Sequence, residues 1–432
     1  MKELGIGLLG FGTVGAGVVE GLQKNGDLIA RRVGVKPVLR KIADIDLDRD
    51  RGVKVDLGLL TRDAESVIKD PSIDVVIELI GGVRAAKDLM LKALKLGKPV
   101  VTANKALLAE FGEEIHRVAA ENRTEVFYEA SVGGGIPIIK ALREGLVGNH
   151  IESIYGILNG TCNYILTRME QEKLPFDQVL ADAQAAGYAE AEPSLDIDGI
   201  DTAHKAAILA SLAYGFPVPM SAVHVEGIRG LAQQDIVNAG EMGYRIKLLA
   251  VIKHADGEVE VRVHPTLVPH EHLLSSVTGV FNAIFVSGDI VGNTLYYGRG
   301  AGRVATSSAV LSDLADVARC LAAGSKQRGP AFVQNGAVGR IHPIGEIEAR
   351  YYLRLSLLDR PAVLARVAQI LGAHQISIAS VMQKEARSEE HVPVIVVTHG
   401  AKEKNFRAAL KEIDALDVVG APTVRLRIED FH

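Results

Sequence analysis

Cysteine is nearly absent from this chain: Cys162 and Cys320 are the only two in 432 residues, and neither has a companion at metal-ligand spacing. That argues against a disulfide scaffold and a cysteine-type zinc site, and it points to a reducing compartment. No run of about 18 apolar residues occurs, as a membrane-spanning helix would need. The chain enters a strand pattern at Leu4 with no apolar leader ahead of it. Basic clusters are lacking too, and the net charge is −5, so nothing offers a face to nucleic acid. These absences predict a cytoplasmic protein with no membrane and no nucleic-acid partner. With 48% hydrophobic and 23% charged residues the chain can bury ordinary globular cores. Its length suits two to four domains of about 100–200 residues each.

Ile6 to Leu9 reads as a buried strand and Val18 to Ile29 as a helix, with Gly10-Phe11-Gly12-Thr13-Val14-Gly15 between them. Strand, GxGxxG turn and helix in that order form a dinucleotide-binding fingerprint. The glycines serve the tight turn, the approach to a pyrophosphate and helix–strand packing. A second strand, Val38 to Ala43, ends at Asp44, which suits the ribose hydroxyls of NAD. Arg40 and Lys41, or Arg49 and Arg51, suit the 2′-phosphate of NADP instead, so the cofactor is NADP or NAD. Ile73 to Ile80 ends in Gly81-Gly82, and a strand from Pro99 ends in Thr102-Ala103-Asn104-Lys105. Both stretches fall at the carboxyl end of a parallel sheet, where open α/β folds bind ligands.

Glu129 precedes Val132-Gly133-Gly134-Gly135-Ile136, a bend whose backbone oxygens suit either a hard cation or a plain hinge between domains. Ile151 to Leu158 reads as a strand closed by Asn159-Gly160-Thr161-Cys162-Asn163, with a helix from Tyr164. That turn suits a polar ligand, and Cys162 reads as a small buried residue because no histidine lies nearby in sequence. The richest stretch is Gly187 to Ala207. Asp201 and Lys205 share a helix face four residues apart, and Glu190, Glu192, Asp196 and Asp198 crowd the loop before them. Carboxylates beside one lysine suit an ammonium-bearing substrate and a proton donor. The plain alternative is a solvated loop with a weak surface ion pair. Tyr297 to Gly302 is a second glycine-rich turn, and the helix after it, Ala305 to Ala323, has the spacing to complete the first domain.

With GFGTVG, ELIGG, TANK, EASVGGGIPI, LNGTCNYIL, GYAEAEPSLDIDGIDTAHK and GRGAG in this order, the chain resembles homoserine dehydrogenase over essentially its whole length. The resemblance implies reduction of L-aspartate 4-semialdehyde to L-homoserine with NAD(P)H, and the reverse, on the route to threonine and methionine. It implies Lys205, Lys105 and Asp201 as the catalytic group, with Lys205 giving a proton to the carbonyl oxygen. The resemblance implies Glu192 and Asp196 at the substrate, and with the turn residues above the expected substrate-binding set is Glu192, Asp196, Asn159, Gly160, Thr161 and Tyr188. It implies Phe11, Thr13, Val14 and Gly302 at the cofactor, and with the fingerprint the expected cofactor-binding set is Gly10, Phe11, Gly12, Thr13, Val14, Gly15, Arg40, Gly81, Thr102, Lys105 and Gly302. A monovalent cation such as sodium would sit on Glu129 and the backbone oxygens of Val132, Gly134 and Ile136. The competing readings are another amino-acid semialdehyde dehydrogenase and a non-catalytic sensor of an amino acid or nucleotide.

The expected fold class is α/β. It comprises a Rossmann domain over 1–130 completed by 303–340, an α+β substrate and dimerisation domain over 131–302, and a C-terminal domain over 350–432. The last reads as strand, helix, strand, strand, helix, strand, which is ferredoxin-like. Asp359 to Leu364 resembles the start of an ACT domain, which implies L-threonine as a feedback inhibitor and contacts within a homodimer or homotetramer. Ala362 stands where glycine is usual and Gln375 where asparagine is common, so a module that only assembles subunits is the alternative.

Overall fold

The computed structural model describes residues 1–255, 257–328, 339–383 and 391–431. The chain folds as two compact units, one of Met1–Gly160, Asp201–Val223 and Val280–Gly339, the other of Thr161–Ile200, His224–Gly279 and Arg340–His432.

The first unit opens with β1 (Lys2–Leu9), α1 (Thr13–Val33), β2 (Val35–Ala43), β3 (Leu60–Thr61), α2 (Ala64–Lys69), β4 (Val75–Glu78), α3 (Arg84–Lys95), β5 (Val100–Thr102), α4 (Lys105–Glu121) and β6 (Val126–Phe127). The strands form one sheet in the order β3-β2-β1-β4-β5-β6, and all of its pairs are parallel. Continuous apolar runs explain why these segments are strands. Leu4, Ile6, Leu8 and Leu9 are essentially inaccessible, as a sheet covered on both faces requires. The strand order reverses beside β1, which makes its carboxyl end the crevice for a ligand. The helix Arg303–Ala322 packs Val310, Leu314 and Val317 into the same core as Ile6, Val18 and Val75, so the far end of the sequence closes this layer. Residues 329–338 of the expected 303–340 extension lie outside the described residues. Strand Phe281–Gly288 pairs antiparallel with Ile151–Ile157 on one side and Gly292–Arg299 on the other. β6 stops at Phe127, and Glu129–Ser131 is a single tight turn in which Ser131 N and Oγ both bond Tyr128 O.

In the second unit the hairpin Tyr244–Ala255 and Glu258–Pro269 is antiparallel. The C-terminal module runs Glu348–Leu358, Val363–Ala373, Ile378–Gln383, His391–Thr398, Glu403–Asp414 and Val419–Ile428, the expected βαββαβ order. Residues 384–390 and His432 lie outside the described residues. Both helices cover one sheet face, with Val367, Leu371, Phe406 and Ile413 buried against Tyr351, Leu353, Val394 and Val396, and with Tyr351 stacked 3.6 Å from Phe406. Strand Val419–Ile428 also pairs parallel with Glu258–Pro269, Thr266 opposite Arg427 and Leu267 opposite Ile428. Through that seam the hairpin joins the C-terminal module in the second unit, which also holds 161–200 and 224–279 of the expected 131–302 domain.

Candidate active site

The GxGxxG turn is built around close backbone approach. A Cβ on Gly10 would lie 2.5 Å from the Leu79 carbonyl carbon, and one on Gly15 would lie 2.2 Å from Gly10 O, so neither position admits a side chain. Gly12 caps α1 with no side chain over the first N–H groups, which leaves them free for a phosphate. A cavity of about 670 Å³ opens there, lined by Gly10, Gly12, Thr13, Asp44, Gly81 and four arginines, Arg49, Arg51, Arg62 and Arg303. Asp44 is anchored: one carboxylate oxygen accepts from Phe11 N at 2.5 Å and the other from Asp46 N at 2.9 Å. Arg51 lies 5.0 Å over the Phe11 ring and donates to the Phe11 and Asp46 carbonyls. Arg303 donates to Arg51 O at 2.9 Å and pairs with Glu20.

The remaining expected cofactor residues fall in different places. Phe11, Val14 and Gly15 hold the turn against the core. Thr102 is buried and donates to Glu78 at 2.7 Å, a carboxyl that burial pushes up. Gly302, at φ 107°, caps the helix that carries Arg303. Arg40 points elsewhere: it sits within β2 and pairs with Glu3 at 2.5 Å, outside the cavity lining. Arg40 falls at the irregularity of the β1–β2 ladder, between Leu39 opposite Ile6 and Lys41 opposite Gly7.

Asn104 caps α4 by accepting from Leu107 N and also donates to Gly82 O, which fixes where Lys105 begins the helix. Lys105 Nζ then lies 3.0 Å from Asp201 Oδ1. On the helix Ile200–Tyr214, Lys205 Nζ lies 2.6 Å from Asp201 Oδ2, and Asn159 Nδ2 donates to that oxygen at 2.9 Å. Lys205 also donates to Leu158 O at 2.6 Å. Burial works to raise the Asp201 pKa, but the two lysine charges and these hydrogen bonds outweigh it and hold the carboxyl well below its usual range. An ammonium has three N–H donors, and two on Lys205 go to Asp201 and Leu158, so one is left for a ligand oxygen.

In the second unit, the acidic loop has its own order. Glu192 is exposed and accepts from Ser194 N at 3.2 Å and from Ser194 Oγ, bonds that lower its pKa. Thr161 Oγ1 donates to Tyr188 O at 2.8 Å, and the Tyr188 ring lies 4.7 Å from Tyr164. Cys162 is fully buried, with Sγ 3.2 Å from Asp196 O, so it is packed as a small side chain. The helix after this turn starts at Gly160, one turn earlier than Tyr164.

Glu129 is 2% exposed and accepts from Ile139 N at 3.0 Å and Lys140 N at 2.9 Å, while its own N–H donates to Asp313 at 2.8 Å. Burial pushes Glu129 up to about 7 and Asp313 up to about 8. The bend after Glu129 is pressed on Gly300, where a Cβ on Gly134 would lie 2.5 Å from Gly300 O. Among the described residues no group of three or more His, Cys, Asp or Glu side chains is placed to hold a metal ion. Sequence reasoning missed Asp313, which carries no local motif, Glu78, although it opens the ELIGG stretch, and Arg303, which directly follows the GRGAG turn.

Comparison with known proteins identifies the family. The family model described as homoserine dehydrogenase, NAD binding domain, matches residues 10–129; that described as homoserine dehydrogenase matches 137–315; and the ACT domain model matches 351–418. A homoserine dehydrogenase of Pseudomonas aeruginosa is 46% identical over 438 residues, covering 100% of both chains, and one of Bacillus subtilis is 38% identical with 99% of each covered. The crystal structure of a homoserine dehydrogenase from Thiobacillus denitrificans superposes with a TM-score of 0.95 at 46% identity, covering 100% of this chain and 99% of that one. A hyperthermophilic archaeal homoserine dehydrogenase in complex with NADPH is similar at a TM-score of 0.61 and 28% identity, over 72% of this chain and 96% of its own.

Proposed function

The chain belongs to the homoserine dehydrogenase family, an oxidoreductase acting on a CH–OH group, and on that premise we propose that Lys205 and Lys105 together handle the reacting oxygen of L-aspartate 4-semialdehyde. The observation that carries this reading is the sharing of Asp201 by both ammonium groups, with one Lys205 N–H uncommitted. A bound nicotinamide supplies the hydride for the aldehyde carbon. As negative charge grows on the carbonyl oxygen, Lys205 donates a hydrogen bond to it and then the proton, and Lys105 adds a second positive charge. Asp201 holds both lysines in place, and Asn159 fixes the carboxylate that does so. Glu192 is assigned to the substrate ammonium, and Asp196, Asn159, Gly160, Thr161 and Tyr188 to the polar groups of the substrate.

Asp44 is already bonded at both oxygens, and the cavity carries four guanidinium groups, a combination that favours NADPH over NADH. A monovalent cation on Glu129 and the carbonyl oxygens of Val132, Gly134 and Ile136 would keep the Glu129 carboxyl ionised. Feedback by L-threonine through the ACT module, and assembly as a homodimer or homotetramer, complete the proposal. Tyr297 and Leu295, 56% and 37% exposed on the strand Gly292–Arg299, offer apolar surface to a second copy.

The test is steady-state oxidation of NADPH and of NADH with L-aspartate 4-semialdehyde by the protein and by Lys205→Ala, with and without L-threonine. The expected result is a loss of most of kcat in the variant while cofactor affinity holds. Unchanged turnover would remove Lys205 from the mechanism.

A further inference from the structure

Strand Val419–Ile428 of the ACT module and the acidic loop around Glu192 belong to the same compact unit, and one short segment, Glu226 to Arg229, touches both. At its first residue, Glu226 N donates to Val263 O at 2.7 Å, which ties the segment to Glu258–Pro269. The Glu226 carboxylate is gripped from the ACT strand: Arg427 Nη1 lies 2.8 Å from one oxygen, and Arg427 Nη2 and Arg425 Nη2 lie 3.1 Å from the other. His224 bonds the latter oxygen at 2.8 Å. Arg427 is 4% exposed at its side chain and is held from behind by the fully buried Glu403. This grip joins a buried guanidinium to a partly buried carboxylate through two bonds, and is not a loose surface bridge.

The other end of the segment is pressed on the loop. Ile228 N donates to Ile197 O at 2.7 Å, and both isoleucines are inaccessible. A Cβ on Gly227 would lie 2.2 Å from Ile197 O and 2.4 Å from Asp198 Cα, so backbone lies directly on backbone with no room for a methyl group. Arg229 then holds Asp198 with two bonds, at 2.8 and 3.1 Å, and reaches Ser194 Oγ at 3.2 Å, the serine that bonds Glu192. A continuous line of contacts therefore runs from Arg427 through Glu226, Gly227 and Arg229 to Ser194 and Glu192.

We propose that Glu226 and Gly227 are positioning residues: the segment is a strut that sets where the acidic loop holds Glu192, and it takes its own position from Arg427 of the ACT strand. None of these residues touches the reacting atoms. They act on how well the loop accepts the substrate ammonium, so a shift of Val419–Ile428 would reach substrate affinity before it reached the hydride-transfer chemistry. The inference rests on the reading of Glu192 as the ammonium-binding group.

The experiment compares Gly227→Ala, Glu226→Gln and Arg427→Gln in the full chain, with the Glu226→Gln/Arg427→Gln double variant. KM and kcat for the semialdehyde, KM for NADPH, and hydrogen exchange of residues 190–199 are measured on each. Gly227→Ala is expected to raise the semialdehyde KM about tenfold or more, with kcat and the NADPH KM within about threefold of the parent, and to speed exchange in 190–199. The two charge variants should do the same more mildly, and the double variant should be no worse than the poorer single one. Unchanged KM and unchanged exchange in folded Gly227→Ala would overturn the proposal. Should that variant fail to fold, Glu226→Gln decides by the same two readings. Glu192→Gln serves as the control. If it leaves KM unaltered, the ammonium reading fails, and exchange in 190–199 alone judges the strut.

Discussion

Lys205 Nζ stands 2.6 Å from Asp201 Oδ2, one helical turn away on a face where both side chains are nearly inaccessible. The same carboxylate holds Lys105 Nζ at 3.0 Å, so one negative charge orders two positive ones. Asp201→Asn keeps the shape and removes the charge. It should lower kcat by about 100-fold or more, the usual scale for losing an ordered general acid. NADPH affinity should stay near normal. Stopped-flow oxidation of NADPH at saturating semialdehyde measures this, and a variant within a factor of about three of the parent would contradict the role given to the carboxylate.

The cofactor cavity carries Arg49 and Arg62 at its rim, beside the anchored Asp44. Replacing both arginines by alanine is expected to raise the NADPH KM about tenfold or more while the NADH KM moves little, since a guanidinium–phosphate contact is a charge-assisted bond. Equal losses for the two nucleotides would assign the arginines to the turn and not to a 2′-phosphate.

Ala362 and Gln375 have φ of 70° and 59°, in the left-handed region that disfavours a Cβ. Ala362→Gly and Gln375→Gly should each stabilise the fold by about 0.5–1 kcal/mol, the strain relieved less the entropy glycine adds to the unfolded chain. Thermal unfolding reads this directly. The same Ala362→Gly variant should bind L-threonine no more weakly than the parent by calorimetry, and weaker binding would dissociate the strain from the ligand loop.

Buried Glu129 and Asp313 have pKa values pushed up to about 7 and about 8. In the unfolded chain both carboxyls ionise near pH 4. Between pH 4 and 8 the folded protein therefore keeps protons that the unfolded chain has released, and their contribution to stability falls as pH rises through that window. Asp313→Asn should flatten the fall, measured as Tm against pH. Sodium or potassium chloride should raise Tm more at pH 8 than at pH 5 if a cation takes the place of the proton on Glu129. A Tm that climbs from pH 5 to 8 equally in parent and variant would contradict the assignment.

The parts of this molecule that could be read from sequence are those whose physics is local. GFGTVG between a strand and a helix needs only its own spacing, and Asp201 and Lys205 meet because a helix brings every fourth residue round. What stayed hidden depends on partners far along the chain. Glu129 meets Asp313 across 184 positions, and Arg427 meets Glu226 across 201. Arg40 stands near the right motif, yet it pairs with Glu3 and is not among the residues that line the cavity, a partner 37 positions away that the motif does not show. Ala362 lies between these cases. Its departure from glycine was visible, and its left-handed backbone gives that departure a meaning.

The parallel seam between Glu258–Pro269 and Val419–Ile428 has a consequence for how this chain can be cut. Nearly every residue of Glu258–Pro269 is buried. A shortened chain ending before the C-terminal module would leave Thr266 and Leu267 of that strand without Arg427 and Ile428 opposite them, a stretch of open edge that can template strand-to-strand aggregation. The module is thus a lid on a sticky edge as well as a domain in its own right. Removing it to obtain an unregulated protein invites insolubility, whereas point changes that leave the final strand in place do not.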